Sequence, residues 1–139
     1  MKRIFNKSFY SDLRVAKQTA IEAVGFLHKA FPLLREDLAA DLRLVINELL
    51  VNAVIHGNRC DASKRVEIEI DTDGRRIYSR VTDEGVGFDY SKTVMEWDVE
   101  ENLLDACGRG VRLAYHMTDR LKFSERGNVI EFSKRLVEE

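Results

Sequence analysis

The chain has 139 residues, a length that favours one domain with a single core. Hydrophobic residues make up 45% and charged residues 33%, and the formal net charge is −2, so no excess of cations is present to bind a phosphate backbone. No apolar run approaches the length of about 20 residues that spans a bilayer, and the basic N-terminus lacks the apolar run of a secretory signal. We therefore expect a cytoplasmic protein that binds neither nucleic acid nor membrane directly.

The N-terminal part of the chain is predicted to contain one strand and two helices. Residues 3–10 are expected to form an edge strand. A partly amphipathic helix is predicted from about Leu13 to about Lys29. Pro32 separates it from a second helix, which is predicted to run from about Arg35 to about His56.

The remainder of the chain is predicted to be mostly strands. Alternating apolar and charged residues over 65–72 predict a half-buried strand, and Asp73-Gly74 is a hairpin signal that returns the chain over residues 75–83. Residues 90–107 have no clean periodicity and are interpreted as a long excursion. A short helix follows a glycine loop at 108–110, and the last two strands are predicted over residues 120–125 and 128–136.

The order of these elements indicates the fold class. Helices come first and antiparallel hairpins come later, which favours an α+β two-layer sandwich with helices packed on one face of a mixed, mostly antiparallel sheet. A doubly wound parallel sheet is disfavoured because strands and helices do not alternate along the chain. We expect a single domain over residues 1–139.

Three polar residues recur every four positions on the otherwise apolar second helix: Glu48, Asn52 and His56. Each four-residue step advances only about 40° around a helix, so the three side chains form a slanting row. A buried carboxylate or amide costs free energy unless it has a partner. Two interpretations remain open at this point. The row is either a hydrogen-bonded structural patch or a ligand-facing row, with Asn52 as an oxygen ligand for Mg²⁺ and Glu48 as a general base.

Two glycine segments are compatible with a ligand site, although each alone is weak evidence. Asp83 is predicted at a strand end, followed by Gly85 and Gly87, where glycines permit close approach of a flat ligand and the aspartate accepts a hydrogen bond from an exocyclic amine. A hairpin or β-bulge would use the same residues. Gly108 and Gly110 open a predicted helix, whose free N–H groups favour anions, but a tight turn would also explain them.

Taken together and in order, "ELLVNAVIHG", "DEGVGFD" and "GRGVRLA" resemble the N, G1 and G2 boxes of the Bergerat-fold ATP-binding superfamily. That superfamily includes gyrase, a heat-shock chaperone, histidine kinases and mismatch-repair ATPases. Within it, the chain is most similar to bacterial anti-sigma factor serine/threonine kinases, and the resemblance covers residues 1–136. The resemblance implies that the polar row on the second helix faces Mg²⁺ and ATP.

The resemblance also implies a role for each box residue. Asn52 would coordinate Mg²⁺ that bridges the ATP phosphates, and Glu48 would act as the general base. His56 would lie near the nucleotide, and Asp83 would bind the adenine amino group. Gly85 and Gly87 would shape the wall beside adenine, and residues 90–107 would form a lid over ATP. Gly108, Arg109 and Gly110 would donate backbone N–H groups to the phosphates.

The function implied by the resemblance is that of an anti-sigma factor serine/threonine protein kinase. Such a protein binds a sigma factor, phosphorylates an anti-anti-sigma antagonist and forms a homodimer, with residues 11–36 contributing to dimerisation and docking. The alternative is a nucleotide-responsive partner-switching module with little or no kinase activity. One departure is the lid, which lacks the proline of many relatives and carries the acidic stretch 96–105. Cys60 and Cys107 have no metal-ligand spacing and are expected to be reduced thiols.

Overall fold

The computed structural model describes residues 1–86, 109–124 and 128–137. Its helices are α1 (Leu13–Ala30), α2 (Glu36–Asn52), which continues as a π-helical turn over Ala53–Gly57, and α3 (Arg109–Met117). Its strands are β1 (Lys2–Tyr10), β2 (Arg65–Thr72), β3 (Arg76–Asp83), β4 (Arg120–Phe123) and β5 (Val129–Arg135).

The five strands form one sheet in the order β1-β2-β3-β5-β4, and every pair of neighbours in it is antiparallel. This sheet with its helical layer confirms the predicted α+β fold class. The alternation in β2 works as expected, because Val66, Ile68 and Ile70 are fully buried whereas the residues between them are half-exposed. On that half-exposed side Arg3 of β1 forms ion pairs with Glu69, at 3.0 Å, and with Asp71.

The helical layer follows from a small-residue face on α1 and an aliphatic face on α2. Asp12 caps α1, since its side chain accepts the N–H groups of Arg14 and Val15 at 2.8 and 3.2 Å. Alanines dominate the buried face of α1, which lets the larger buried side chains of α2 pack closely against it. Those side chains are Leu42, Val45, Ile46, Leu49 and Leu50.

The otherwise apolar α2 is not buried on all sides. Leu44 is 43% exposed and Ile55 is 37% exposed, so one side of this helix faces solvent. The α-helix also ends at Asn52 rather than near His56, because the next five residues adopt the wider π-helical turn. The periodicity of apolar residues predicts a helix, but it does not show which faces of that helix pack against other elements.

The strand predictions were accurate to within about two residues, the usual uncertainty of a strand or helix boundary. Strand β2 has the predicted bounds, β3 begins one residue later, and the last two strands are shorter than predicted. The predicted excursion over residues 90–107, together with Gly87, Gly108 and Cys107, lies outside the described residues. Cys60 is an exposed free thiol. Among the described residues, no helix has both the length and the apolarity needed to cross a bilayer.

Candidate functional site

The site begins where α2 changes from an α-helix to a π-helical turn. Asn58 donates its backbone N–H to the Ala53 carbonyl at 2.8 Å, a pairing of residues five apart that widens the helix. Arg59 and Cys60 then adopt positive φ angles of 53° and 59°, which turn the chain sharply out of the helix. Single π-helical turns inside or at the end of an α-helix are frequent at functional sites. Here the widened turn directs the backbone of Gly57 towards the end of β3.

The backbone of Gly57 and the segment after β3 meet at a distance that only glycine allows. A Cβ atom on Gly85 would lie 1.9 Å from the Gly57 carbonyl oxygen, and a Cβ on Gly57 would lie 2.2 Å from Asp83 Oδ2. Real Cβ atoms do not approach other heavy atoms so closely. The structure therefore brings together two of the three segments that the sequence singled out.

Asp83 is the buried acid of this region, with only 8% of its surface exposed. Its Oδ1 accepts the Gly85 N–H at 2.8 Å, and its backbone is held by two hydrogen bonds to Asn128, at 2.9 and 3.1 Å. Burial raises the pKa of the Asp83 carboxyl, while the Gly85 N–H and the charge of Lys64 act in the opposite direction. The result is a carboxyl group fixed in position and only partly satisfied by hydrogen bonds.

Asn58 is a site residue that the sequence reasoning missed, because it was interpreted only as a helix-ending residue. It is 1% exposed, and its side-chain N–H₂ donates to Ser11 Oγ at 2.9 Å and to the Arg65 carbonyl at 3.0 Å. Its Oδ1 accepts the Glu84 N–H at 2.8 Å. This one amide therefore ties the residue after Asp83 to the ends of β1 and β2. The only sequence signal was an amide placed directly after the helix-ending glycine.

Glu48 and Asn52 lie one turn apart on α2, and both are half-buried. A Cβ on Gly110 would lie 2.7 Å from Glu48 Oε2, so the first turn of α3 rests against this carboxylate. Neither side chain forms a hydrogen bond or ion pair with another described residue. The third segment singled out in the sequence therefore reaches α2 at Glu48.

The outcome for the remaining predicted site residues is mixed. His56 is exposed whereas Glu48 and Asn52 are half-buried, so the polar row on this helix becomes more exposed towards its C-terminal end. The backbone of Arg109 begins α3, next to Gly110. Gly87 and Gly108 lie outside the described residues.

Comparison with known proteins identifies the family. The protein-family model for the histidine kinase-like ATPase domain matches residues 13–134, which is most of the chain. The chain belongs to the histidine kinase-like ATPase family. It is therefore a domain of the ATP-binding type, as its G1-like and G2-like segments indicated. No curated protein matches it significantly.

The residues of this histidine kinase-like ATPase domain fit a nucleotide with Mg²⁺. The Asn52 amide and the Glu48 carboxylate offer hard oxygen donors, the type that Mg²⁺ prefers. Among the described residues, no group of three or more His, Cys, Asp or Glu side chains forms a metal cage. Mg²⁺ commonly keeps several waters and uses one or two protein oxygens plus substrate phosphates, so no such cage is required here.

Proposed function

We propose that the chain is an ATP-dependent anti-sigma factor serine/threonine protein kinase. In this proposal it binds a sigma factor and transfers phosphate to a serine or threonine of an anti-anti-sigma antagonist, as a cytoplasmic homodimer. The observation that supports the proposal is the position of the Glu48 carboxylate. It lies half-buried against the first turn of α3 and forms no hydrogen bond or ion pair with another described residue. A protein that only binds nucleotide does not need a carboxylate at this position.

The adenine end of the pocket rests on Asp83. Its carboxylate accepts a hydrogen bond from the exocyclic amine of adenine, and Gly57 and Gly85 leave a flat wall without side chains beside the ring. The position of Asp83 is set by its hydrogen bonds with Gly85 and Asn128 and, one residue later, by Asn58. Gly87 belongs to the same wall in this proposal.

The phosphate end of the pocket rests on α2 and α3. Asn52 holds Mg²⁺, which neutralises charge on the ATP phosphates when it is bound. The N-terminal backbone of α3, from Gly108 through Arg109 to Gly110, donates N–H groups to phosphate oxygens. Glu48 accepts the proton of the attacking hydroxyl while that oxygen bonds to the γ-phosphorus and the bond to the bridging oxygen breaks. His56 stands at the exposed rim of the same helix.

Regulation in this proposal acts through partners. Residues 11–36, which the nucleotide does not use, contribute to the homodimer and to docking, and sigma factor and antagonist compete for the protein. Exchange between ATP and ADP shifts the preference only if a partner has different affinities for the two nucleotide states. A nucleotide-responsive partner-switching module without kinase activity would share everything except the role of Glu48.

The test compares Glu48→Gln with wild type and with Asp41→Asn, the matched change from carboxylate to amide at an exposed position of α2 outside the docking region. Each protein is incubated with Mg·ATP and a candidate antagonist from the same genome, and phosphate transfer is followed by mass spectrometry. We expect Glu48→Gln to bind ATP nearly as well as wild type by calorimetry. Transfer should fall by roughly 10²–10⁴, the usual loss when a general base is removed.

Two results would change the assignment. Equal rates for Glu48→Gln and wild type would show that Glu48 is not the base. Absence of phosphorylation by wild type, combined with tighter antagonist binding in ATP than in ADP, would replace the kinase with the partner-switching module. Asn52→Ala should weaken Mg·ATP binding in either case, since the metal site is common to both functions.

A further inference from the structure

A second concave region lies at the opposite end of α2 from the nucleotide site. This cleft, of about 580 Å³, is bordered by the loop between α1 and α2, the β2–β3 turn and the end of β5. The 17 residues of α2 separate the two ends by about 25 Å, at roughly 1.5 Å per residue. A ligand in the cleft therefore does not touch the residues proposed to bind ATP.

The cleft is apolar at its base and at its edge. Phe31 and Leu34 are 7% and 8% exposed and belong to the core, whereas Leu33, between Pro32 and Leu34, is 94% exposed. A single exposed leucine is ordinary on a protein surface. Leu33 differs because it stands beside an apolar recess, so a partner that enters the recess would cover it as well.

The charged residues that line this cleft, among those the structure describes, all have the same sign. Among the described residues that line the cleft, Arg35, Lys134 and Arg135 are cationic and none is acidic. Arg35 and Lys134 have acidic neighbours outside the lining, Asp37 at 3.5 Å and Asp119 at 3.7 Å. Such long ion pairs between solvent-accessible side chains are weak, so a carboxylate from a partner can replace them.

We propose that the cleft is a docking site for a segment of a partner protein that carries large apolar side chains flanked by aspartate or glutamate. The apolar base takes the side chains, Leu33 packs against them, and Arg35 and Lys134 meet the carboxylates. The volume lies within the range of about 300–1,000 Å³ that is typical of ligand pockets. The site lies partly within the docking region of residues 11–36 and so deepens the proposed function. Its test does not depend on phosphate transfer, because neither Glu48 nor Asn52 contributes to the cleft.

The test uses a fluorescein-labelled synthetic peptide with two adjacent leucines flanked on each side by aspartate and glutamate, titrated with the full chain and followed by anisotropy. We expect saturable binding that weakens as salt is added. Leu33→Asp and Arg35→Glu should each weaken it at least about tenfold, a factor that corresponds to about 1.4 kcal/mol. Tyr10→Asp, a matched change at the 60% exposed last residue of β1, should leave peptide binding unchanged.

Several outcomes would overturn the proposal. These are no saturation at about 1 mM protein, equal binding of a peptide with lysines in place of its acids, or an equal loss in Tyr10→Asp. A dimer in sedimentation that Leu33→Asp dissociates, and that the peptide does not disturb, would assign the cleft to a second copy of the chain instead. Calorimetry with ATP on the same variants keeps this test separate from the kinase proposal, since nucleotide affinity should not change in any of them.

Discussion

The two ends of β3 carry the same residue types with opposite physical properties. Asp73 precedes the strand and is exposed, and its carboxylate accepts the N–H groups of Arg76 and Arg75 at 2.8 and 2.9 Å, which lower the pKa of this group. Asp83 ends the strand and is buried, and burial raises the pKa of its carboxyl. The first aspartate is stabilised in its ionised form by its turn, whereas the second is desolvated and accepts one N–H, that of Gly85, among the described hydrogen bonds. In the proposed function, Asp83 takes its further hydrogen bond from adenine.

The glycines at the two ends differ in the same way. Gly74 has a φ of +97°, and a Cβ added there would meet nothing within 4 Å, so this glycine serves the backbone conformation of the turn. The constraint on Gly85 is close approach, because its Cβ position is occupied by the Gly57 carbonyl. A glycine required by a turn and a glycine required by a contact look alike in the sequence, and only the surrounding structure separates them.

The largest expected effect is that of Gly85→Ala. The added Cβ overlaps the Gly57 carbonyl, and a backbone group cannot rotate away as a side chain can, so the wall beside adenine must move. We expect a loss of about 3 kcal/mol in the free energy of unfolding and a loss of ATP binding. Gly74→Ala should cost only about 1–2 kcal/mol, the strain of a left-handed residue with Cβ, and should retain ATP affinity. Thermal unfolding and calorimetry measure both quantities.

The glycine comparison would be broken by a specific result. If Gly85→Ala binds ATP as tightly as Gly74→Ala does, the contact between Gly57 and Gly85 is not part of the nucleotide site. If Gly74→Ala is the less stable of the two, the conformational requirement of the turn exceeds the packing requirement of the site.

The next effect concerns the two aspartates. Asp83→Asn places a donor amide where a carboxylate accepts the adenine amine, so ATP should lose its advantage over GTP. Asp73→Asn is the matched control, the same substitution at the other end of β3, and it should leave nucleotide selectivity unchanged. Competition between ATP and GTP, measured by calorimetry, gives the result. Equal selectivity in Asp83→Asn and wild type would remove Asp83 from adenine recognition.

The same pair of variants predicts opposite dependences of stability on pH. The raised pKa of Asp83 means that the folded state binds this proton more tightly than the unfolded state does. Its ionisation therefore destabilises the fold as the pH rises above the ordinary value of about 3.8 through the raised pKa. The lowered pKa of Asp73 gives stability that is present above that ordinary value and lost as the pH falls through the lowered pKa. In urea unfolding between pH 3 and pH 7, roughly the window of these shifts, Asp83→Asn should remove the first dependence and Asp73→Asn the second.

Much of the fold was predictable because its signals are local. Alternation in β2 and the Asp73-Gly74 turn need only neighbouring residues, and both were confirmed. The resemblance implied that the three segments share one nucleotide site. The close contacts at Gly57 and Gly110 show which of their described residues lie near one another, and the roles of these residues towards ATP stay predictions.

What the sequence did not predict depends on contacts between distant segments. The π-helical turn over Ala53–Gly57 has no local signature in the sequence, and it lies where the end of α2 contacts β3. The role of Asn58 depends on Ser11 and Glu84, residues far away in the chain that lie near it only in the fold. The exposure of Leu44 and His56 likewise depends on how α2 packs in the fold, which the local sequence does not show.

The smallest expected effect separates two buried hydroxyl groups, one that has hydrogen-bond partners and one that does not. Ser79, midway along β3, is 2% exposed, and its Oγ has no hydrogen-bond partner among the described residues. Thr72, at the Asp73 end, is 7% exposed; its Oγ1 donates to the Arg76 carbonyl at 2.7 Å and accepts the Gly74 N–H at 2.9 Å.

Removing an unpartnered hydroxyl relieves a desolvation cost, whereas removing a partnered one leaves other groups unsatisfied. Ser79→Ala should therefore keep or raise the free energy of unfolding, by up to about 1 kcal/mol, while Thr72→Val should lower it by about 1–2 kcal/mol. Urea unfolding distinguishes the two, and an equal loss in both variants would mean that Ser79 has a polar partner that its described surroundings do not supply.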